Sequence, residues 1–203
     1  MKTHNLNAKF GEHHFTSEKY TFSVIYLVRD PRDVLVSYAK HSGLSLDDMR
    51  DAMLFPRHKI GEGPDYVEFI GDWRTHVLTW EKALSRPRLL LRYEDLIDDP
   101  ITQFRRLADF TGVRIADPDL AEIVDSVHFD ALKAREERDG FDEATKNSVF
   151  FRQGTVGGWR ELDYARYIEP LERAFGPTMA RLGYAPLKRK YAKPERPKRV
   201  LKT

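Results

Sequence analysis

Residues 23–37 read Ser-Val-Ile-Tyr-Leu-Val-Arg-Asp-Pro-Arg-Asp-Val-Leu-Val-Ser. The run Val24–Val28 is β-branched and apolar, the pattern of a strand buried on both faces of a parallel sheet. Asp30 can cap free backbone N–H groups and Pro31 suits a first helical position, so a helix starts here. The chain therefore runs strand, tight turn, helix, with Arg29 at the carboxyl end of the strand. In open α/β sheets ligands bind at that end, and helix N-termini attract anions. Ser37 falls about two turns into the helix, roughly 10 Å along its axis. This spacing lets Arg29 and Ser37 hold one phosphate between a charged fork and a hydroxyl. It equally lets Arg29 pair with Asp30 or Asp33 and leaves Ser37 an ordinary helix residue.

Working outward, residues 43–64 mix Gly, Pro and charge and read as a long loop with at most one short helix. Loops of that length often shape substrate sites. Over residues 67–84, Phe69, Ile70, Trp73, Val77, Trp80 and Leu84 share one helical face, with both tryptophans expected in the core. Residues 88–93 form a second apolar strand, with Glu94 and Asp95 at its carboxyl end. Asp99-Pro100 starts a helix with Ile101, Phe104, Leu107 and Ala108 inward and Gly112 as its stop. Asp117-Pro118 starts another, reaching about Val127. Strands alternating with helices imply a parallel α/β sheet between helical layers.

Residues 129–147 are charged and loop-like. Residues 150–160, Phe-Phe-Arg-Gln-Gly-Thr-Val-Gly-Gly-Trp-Arg, set three glycines among cations, so the backbone there can approach an anion closely. Tyr164, Tyr167, Ile168, Leu171, Ala174 and Phe175 then make one helical stripe, with a kink expected at Pro170.

The 203 residues suffice for one domain, drawn over 1–186, followed by a basic and disordered tail over 187–203. That tail holds eight Lys or Arg against one Glu, although the whole chain carries only +2, so the domain itself is mildly acidic. Beyond Tyr191 the tail has no interleaved aromatics, which disfavours nucleic acid as a partner. Cysteine is absent, excluding disulfides and thiolate metal sites. His13 and His14 are adjacent, share no helix face and have no further ligand spacing, so no metal site is assigned. No apolar run approaches membrane-spanning length and no signal-peptide pattern is present, so a cytoplasmic location is expected. No Gly-x-x-x-x-Gly-Lys-[Ser/Thr] occurs, which disfavours a P-loop kinase or ATPase.

Four segments, taken in order, resemble the sulfotransferases of the cytosolic and bacterial type that use 3′-phosphoadenosine 5′-phosphosulfate (PAPS). Lys2-Thr3-His4 is similar to their Lys-x-His catalytic segment, and the stretch from Arg29 to Ser37 to their 3′-phosphate motif. Leu91-Arg92-Tyr93-Glu94-Asp95-Leu96 resembles the strand whose Tyr meets adenine. Phe151-Arg152-Gln153-Gly154 through Trp159 resembles their second 3′-phosphate segment. The resemblance runs from Lys2 to about Tyr184. It implies a P-loop NTPase-like sulfotransferase fold, with a three-layer parallel sheet flanked by helices, and transfer of a sulfuryl group from PAPS to a hydroxyl or amine acceptor. By the same resemblance Arg29, Ser37 and Arg152 hold the 3′-phosphate, aided by Gln153 and backbone N–H groups near Gly154. Tyr93 hydrogen-bonds adenine, Phe129 stacks on it, and His4 is the general base with Lys2 nearby. These residue types suit the chemistry. Sulfuryl transfer spreads charge over equatorial oxygens and needs positioning and cations, while a near-neutral imidazole can take a hydroxyl proton; no metal is required.

The family's first strand and its 5′-phosphosulfate loop, Thr-Tyr-Pro-Lys-Ser-Gly-Thr-Thr-Trp, would precede Lys2. The expectation is therefore an N-terminally truncated fold whose 203 residues transfer sulfate weakly or not at all. A non-catalytic nucleotide-binding or scaffold module is the competing reading. Val127 stands where the family often has Thr, and Gln153 where Lys or Arg is frequent. Arg160, Tyr164, Ala165 and Glu169 match the dimerisation segment, Lys-x-x-x-Thr-Val-x-x-x-Glu, only in part, so the family's homodimer is not supported by sequence.

Overall fold

The computed structural model describes residues 1–61, 67–82, 85–140, 154 and 156–192. The chain opens with an antiparallel hairpin of β1 (Lys9–Phe10) and β2 (His13–His14), turned at Gly11 with φ 60°. β3 (Val24–Val28) and α1 (Pro31–Ser42) follow as the sequence predicts. Asp30 accepts the backbone N–H of Arg32, Pro31 occupies the first turn, and Gly43 closes the helix in a left-handed conformation. α2 (Leu46–Leu54), capped by Ser45, is the one short helix that the reading of residues 43–64 allows. Met49 and Met53 are buried on its inner face, so packing against the core adds to the cap in holding this short helix.

β4 (Lys59–Ile60) and β5 (Glu68–Phe69) pair antiparallel, and α3 (Trp73–Lys82) begins only after Gly71, at φ 64°. Phe69 and Ile70 are therefore not helical, contrary to the single stripe expected. Leu84 lies outside the described residues. β6 (Arg88–Arg92) runs directly into α4 (Tyr93–Asp98), and α5 (Pro100–Thr111) ends at Gly112 as its caps require. α6 (Asp117–Ser126) and α7 (Phe129–Asp139) complete this half. α7 replaces part of the expected loop: its Ala, Leu, Lys, Arg and Glu are good helix formers even without an apolar stripe. A 3₁₀ turn (Gly158–Glu161), a π turn (Tyr164–Ile168), α8 (Glu169–Arg181) and a last 3₁₀ turn (Arg189–Ala192) finish the described chain. Pro170 sits in the first turn of α8, where a helix needs no N–H, and the irregularity falls on the π turn before it. No helix among the described residues is long and apolar enough to cross a membrane.

β3 and β6 are parallel, in register from Val24 opposite Arg88 to Val28 opposite Arg92. Their Tyr26, Val28 and Leu90 side packs against a core built from α1, α2, α3 and α8, including Leu35, Met49, Val77, Phe175 and Met179. Each such side chain contributes about 1.5–3 kcal/mol by leaving water. On the opposite side Leu89 and Leu91 are buried, with α5 against β6. Ile25 and Leu27 on β3 are 49% and 56% exposed, so this strand is not buried on both faces as its composition suggests. Among the described residues β3 pairs only with β6, and the helix on that side covers β6. Ile101 is likewise 43% exposed rather than inward, while Gln103 is buried on α5 alongside the expected Ala108.

A buried ionic group joins the first helix to the last. The Arg32 guanidinium bonds Asp30 at 2.6 Å and Glu172 at 2.8 Å and lies 3.9 Å from the Trp159 ring centroid. Glu172 is completely buried and also accepts the Tyr164 hydroxyl and the Leu187 backbone N–H. Burial alone would lower the Arg32 pKa; Asp30 and then Glu172 outweigh it and raise it above the ordinary value. Residues 187–192 run along α8. Glu169 accepts from Lys188 and Tyr191, and a Cβ on Gly176 would meet the Tyr191 carbonyl oxygen at 2.0 Å. Tyr164 and Glu169, half of the partial dimerisation match, thus bond within the chain.

Replacing Arg32 by Met leaves two buried carboxylates without a counter-charge and should lower stability by about 3–5 kcal/mol. Arg50→Ala, which breaks pairs with the more exposed Asp47 and Asp51, should lose less than about 1 kcal/mol. Urea denaturation of the two variants measures the contrast.

Candidate functional site

The carboxyl ends of β3 and β6 bring Arg29 and Tyr93 together, with the guanidinium 4.3 Å from the centre of the phenol ring. Arg29 does not turn to the acids beside it in sequence. Asp30 is held by Arg32, and Asp33 accepts the backbone N–H groups of Gly157 at 2.7 Å and Trp159 at 3.2 Å. The local ion-pair reading of Arg29 is thereby set aside. The turn after β3 is fixed from below. Trp73 donates its indole N–H to the Arg29 carbonyl at 3.2 Å, and Glu94 accepts the Asp30 backbone N–H at 2.9 Å. The other oxygen of Glu94 accepts the Tyr184 hydroxyl at 2.7 Å, with the Val28 carbonyl 3.3 Å from that hydroxyl. Burial, reinforced by Glu94, pushes the Tyr184 phenol far above its usual pKa, so it remains a donor.

Asp33 also places the glycine-rich segment. By gripping Gly157 and Trp159 it holds that turn against the first part of α1, and Gly157 takes φ 85°. Ser37 follows Asp33 by one helical turn, is exposed, and so faces the same side of α1 as the glycine turn. Gly154, at φ 55°, lies against the Phe129 ring; a Cβ there would come within 2.5 Å of a ring carbon. Phe129 and Gly154, far apart in sequence, are thus in contact. Arg152 and Gln153 lie outside the described residues.

Lys2 and His4 are exposed on the segment before β1. The backbone of that segment is stitched to β5: His4 N–H donates to Glu68 at 3.2 Å, Phe69 N–H to the Asn5 side chain at 2.8 Å, and Leu6 N–H to the Phe69 carbonyl at 2.7 Å. Asp33, Glu94 and Tyr184 escaped the sequence reading as site-building residues. The available signal was an acid one residue past Tyr93 at a strand end and another in the first turn of the helix after Arg29.

A sulfotransferase-domain profile matches residues 1–183. The chain belongs to the sulfotransferase family. It is 30% identical over 182 residues to Sulfotransferase 2A1 of Rattus norvegicus, covering 80% of this chain and 58% of that protein. It is 31% identical over 187 residues to Cytosolic sulfotransferase 15 of Arabidopsis thaliana, covering 83% and 48%. Among solved structures, a mouse sulfotransferase complexed with PAP superposes with a TM-score of 0.60 at 22% identity, covering 77% of this chain and 58% of that one. Retinol dehydratase in complex with androsterone and the inactive cofactor PAP gives 0.56 at 25% identity, covering 81% and 48%. The fold is that of the sulfotransferases, and the chain spans about half the length of the curated relatives it matches.

In this sulfotransferase-family chain, Asp33→Ala should free the glycine turn. Amide hydrogen exchange at Gly157 and Trp159 should quicken, and stability should fall by about 1–3 kcal/mol through unpaired buried N–H groups.

Proposed function

We propose that this chain forms the nucleotide side of a sulfotransferase site, transferring a sulfuryl group from PAPS to a hydroxyl or amine on a small organic acceptor. The observation that carries this reading is the Arg29–Tyr93 pair at the sheet's carboxyl end, beside a glycine turn that Asp33 holds against α1. Arg29 and Ser37 grip the 3′-phosphate from either side, a charged fork at the start of α1 and a hydroxyl about two turns along it. Arg152, Gln153 and the Gly154 backbone close the same phosphate from the glycine-rich side. Tyr93 bonds adenine at its hydroxyl, while Arg29 covers one face of its ring. Phe129, braced by Gly154, stacks on the adenine.

PAPS supplies the sulfuryl group when bound. His4 takes the proton from the attacking hydroxyl, and Lys2 adds positive charge where negative charge develops on the transferred oxygens. Contacts to the 3′-phosphate are remote from the reacting sulfur, so they set donor affinity and selectivity. Relatives named for a 3-beta-hydroxysteroid and a flavonol support an alcohol or phenol as the acceptor, and relatives named as cytosolic support a cytoplasmic location.

Calorimetric titration with adenosine 3′,5′-bisphosphate tests the donor site. The chain should bind it far more tightly than adenosine 5′-monophosphate, and Arg29→Ala should weaken it about 10- to 100-fold, the worth of hydrogen bonds to a charged group. Equal affinity for the two nucleotides would overturn the assignment. Whatever turnover of labelled PAPS the chain shows with a panel of phenols should be lost in His4→Ala, which tests the reaction itself.

A further inference from the structure

We infer that His76 is the positioning residue of the His4 base: a Tyr26–His76 pair inside the fold holds the His4 main chain by its carbonyl. The inference rests on His4 acting as the base in the reaction proposed above.

The contacts form a chain. The Tyr26 hydroxyl lies 2.8 Å from His76 Nδ1, and His76 Nε2 lies 3.1 Å from the His4 carbonyl oxygen. A carbonyl oxygen only accepts, so Nε2 must carry the hydrogen. A neutral imidazole then accepts at Nδ1, and Tyr26 donates to it. Burial lowers the His76 pKa, which favours the neutral ring. Burial, with Glu81, pushes the Tyr26 phenol far up, so its hydrogen stays in place. One tautomer and one direction of donation result, both pointing at His4.

The grip has a second side. Glu68, itself buried, accepts the His4 backbone N–H, so both ends of that residue's main chain are held while its imidazole is exposed. The next residue is held too, since Trp80 donates its indole N–H to the Asn5 carbonyl at 3.0 Å. Trp73, His76 and Trp80 stand at i, i+3 and i+7 on α3, a single stripe of one helix. Trp73 holds the Arg29 carbonyl, His76 the His4 carbonyl and Trp80 the Asn5 carbonyl. One rigid element therefore sets the separation between the phosphate-binding cation and the base. Proton abstraction needs that separation held, because a displacement near 1 Å can lower a rate about 100-fold.

The test compares His76→Phe, which keeps a ring but lacks the donor, with His76→Gln, whose amide N–H can reach the same carbonyl. The readouts are amide hydrogen exchange at Asn5 and Leu6, calorimetric affinity for adenosine 3′,5′-bisphosphate, and kcat and KM for sulfuryl transfer from PAPS. His76→Phe should speed exchange at both amides and lower kcat about 10- to 100-fold, leaving the donor KM and bisphosphate affinity within about twofold. His76→Gln should restore exchange and kcat together. Unchanged exchange in His76→Phe, or no recovery in His76→Gln, would overturn the inference. If the unmodified chain shows no turnover, exchange at Asn5 and Leu6 with its Gln rescue decides whether His76 holds the segment.

Discussion

A guanidinium held between two buried carboxylates anchors this structure. Arg32 joins Asp30, at the turn after β3, to Glu172 on α8, more than a hundred residues later. Removing three charges from water costs several kcal/mol per ion, so such a group persists only when its hydrogen bonds are met. Here they are. Glu172 receives Arg32, Tyr164 and the Leu187 N–H; Asp30 receives Arg32 from both side chain and backbone; Trp159 covers the guanidinium face. The group ties the start of α1 to α8 and so helps fix where α1 leaves the sheet.

The candidate site inherits its shape from that constraint. With Arg32 turned inward, Asp33 reaches the glycine turn, and Ser37 comes to the same side one turn later. Asp30 is taken up by Arg32, and the Arg29 guanidinium lies over the Tyr93 ring. Glu94 and Tyr184 support the same turn from beneath, closing a path from the second strand through the C-terminal helix back to the first. On the other flank, α3 ties the Arg29 carbonyl and the His4 segment to one stripe of side chains. Cation, glycine turn and exposed histidine are therefore held by ordered backbone contacts rather than by loop chance.

Much of the local architecture was legible in sequence because its causes are local. Asp30-Pro31, Asp99-Pro100, Gly43 and Gly112 mark helix ends through capping and left-handed backbone, effects that operate within four or five residues. The strands at 24–28 and 88–92 are short apolar runs, and they pair as parallel neighbours. Other elements resisted reading. α2 was legible only as one short helix without bounds, although Leu46, Met49, Met53 and Leu54 fall at helical spacing behind the Ser45 cap; α7 is too charged to announce itself, although its residues favour helix. Half of β3 faces outward, because which side of a strand is covered depends on where helices from elsewhere lie.

For the site, the sequence by itself determined the chemical types and their order: Lys2 and His4, the cation Arg29 after a strand, Tyr93 after the next, and glycines near Gly154. Membership of the sulfotransferase family was legible in those same segments. Only the tertiary structure decided which charges neutralise one another. Spacing offered Asp30 and Asp33 to Arg29, but the fold gives Asp30 to Arg32 and Asp33 to the glycine turn. It likewise turned His76, a polar residue on the same stripe of α3 as Trp73 and Trp80, toward the carbonyl of His4. The Asp33–Gly157 and His76–His4 pairings join residues seventy or more positions apart, and even the short-range choice of Asp30 for Arg32 is fixed by Glu172 on α8. They are set by packing of whole elements, a long-range property that no local pattern of residues encodes.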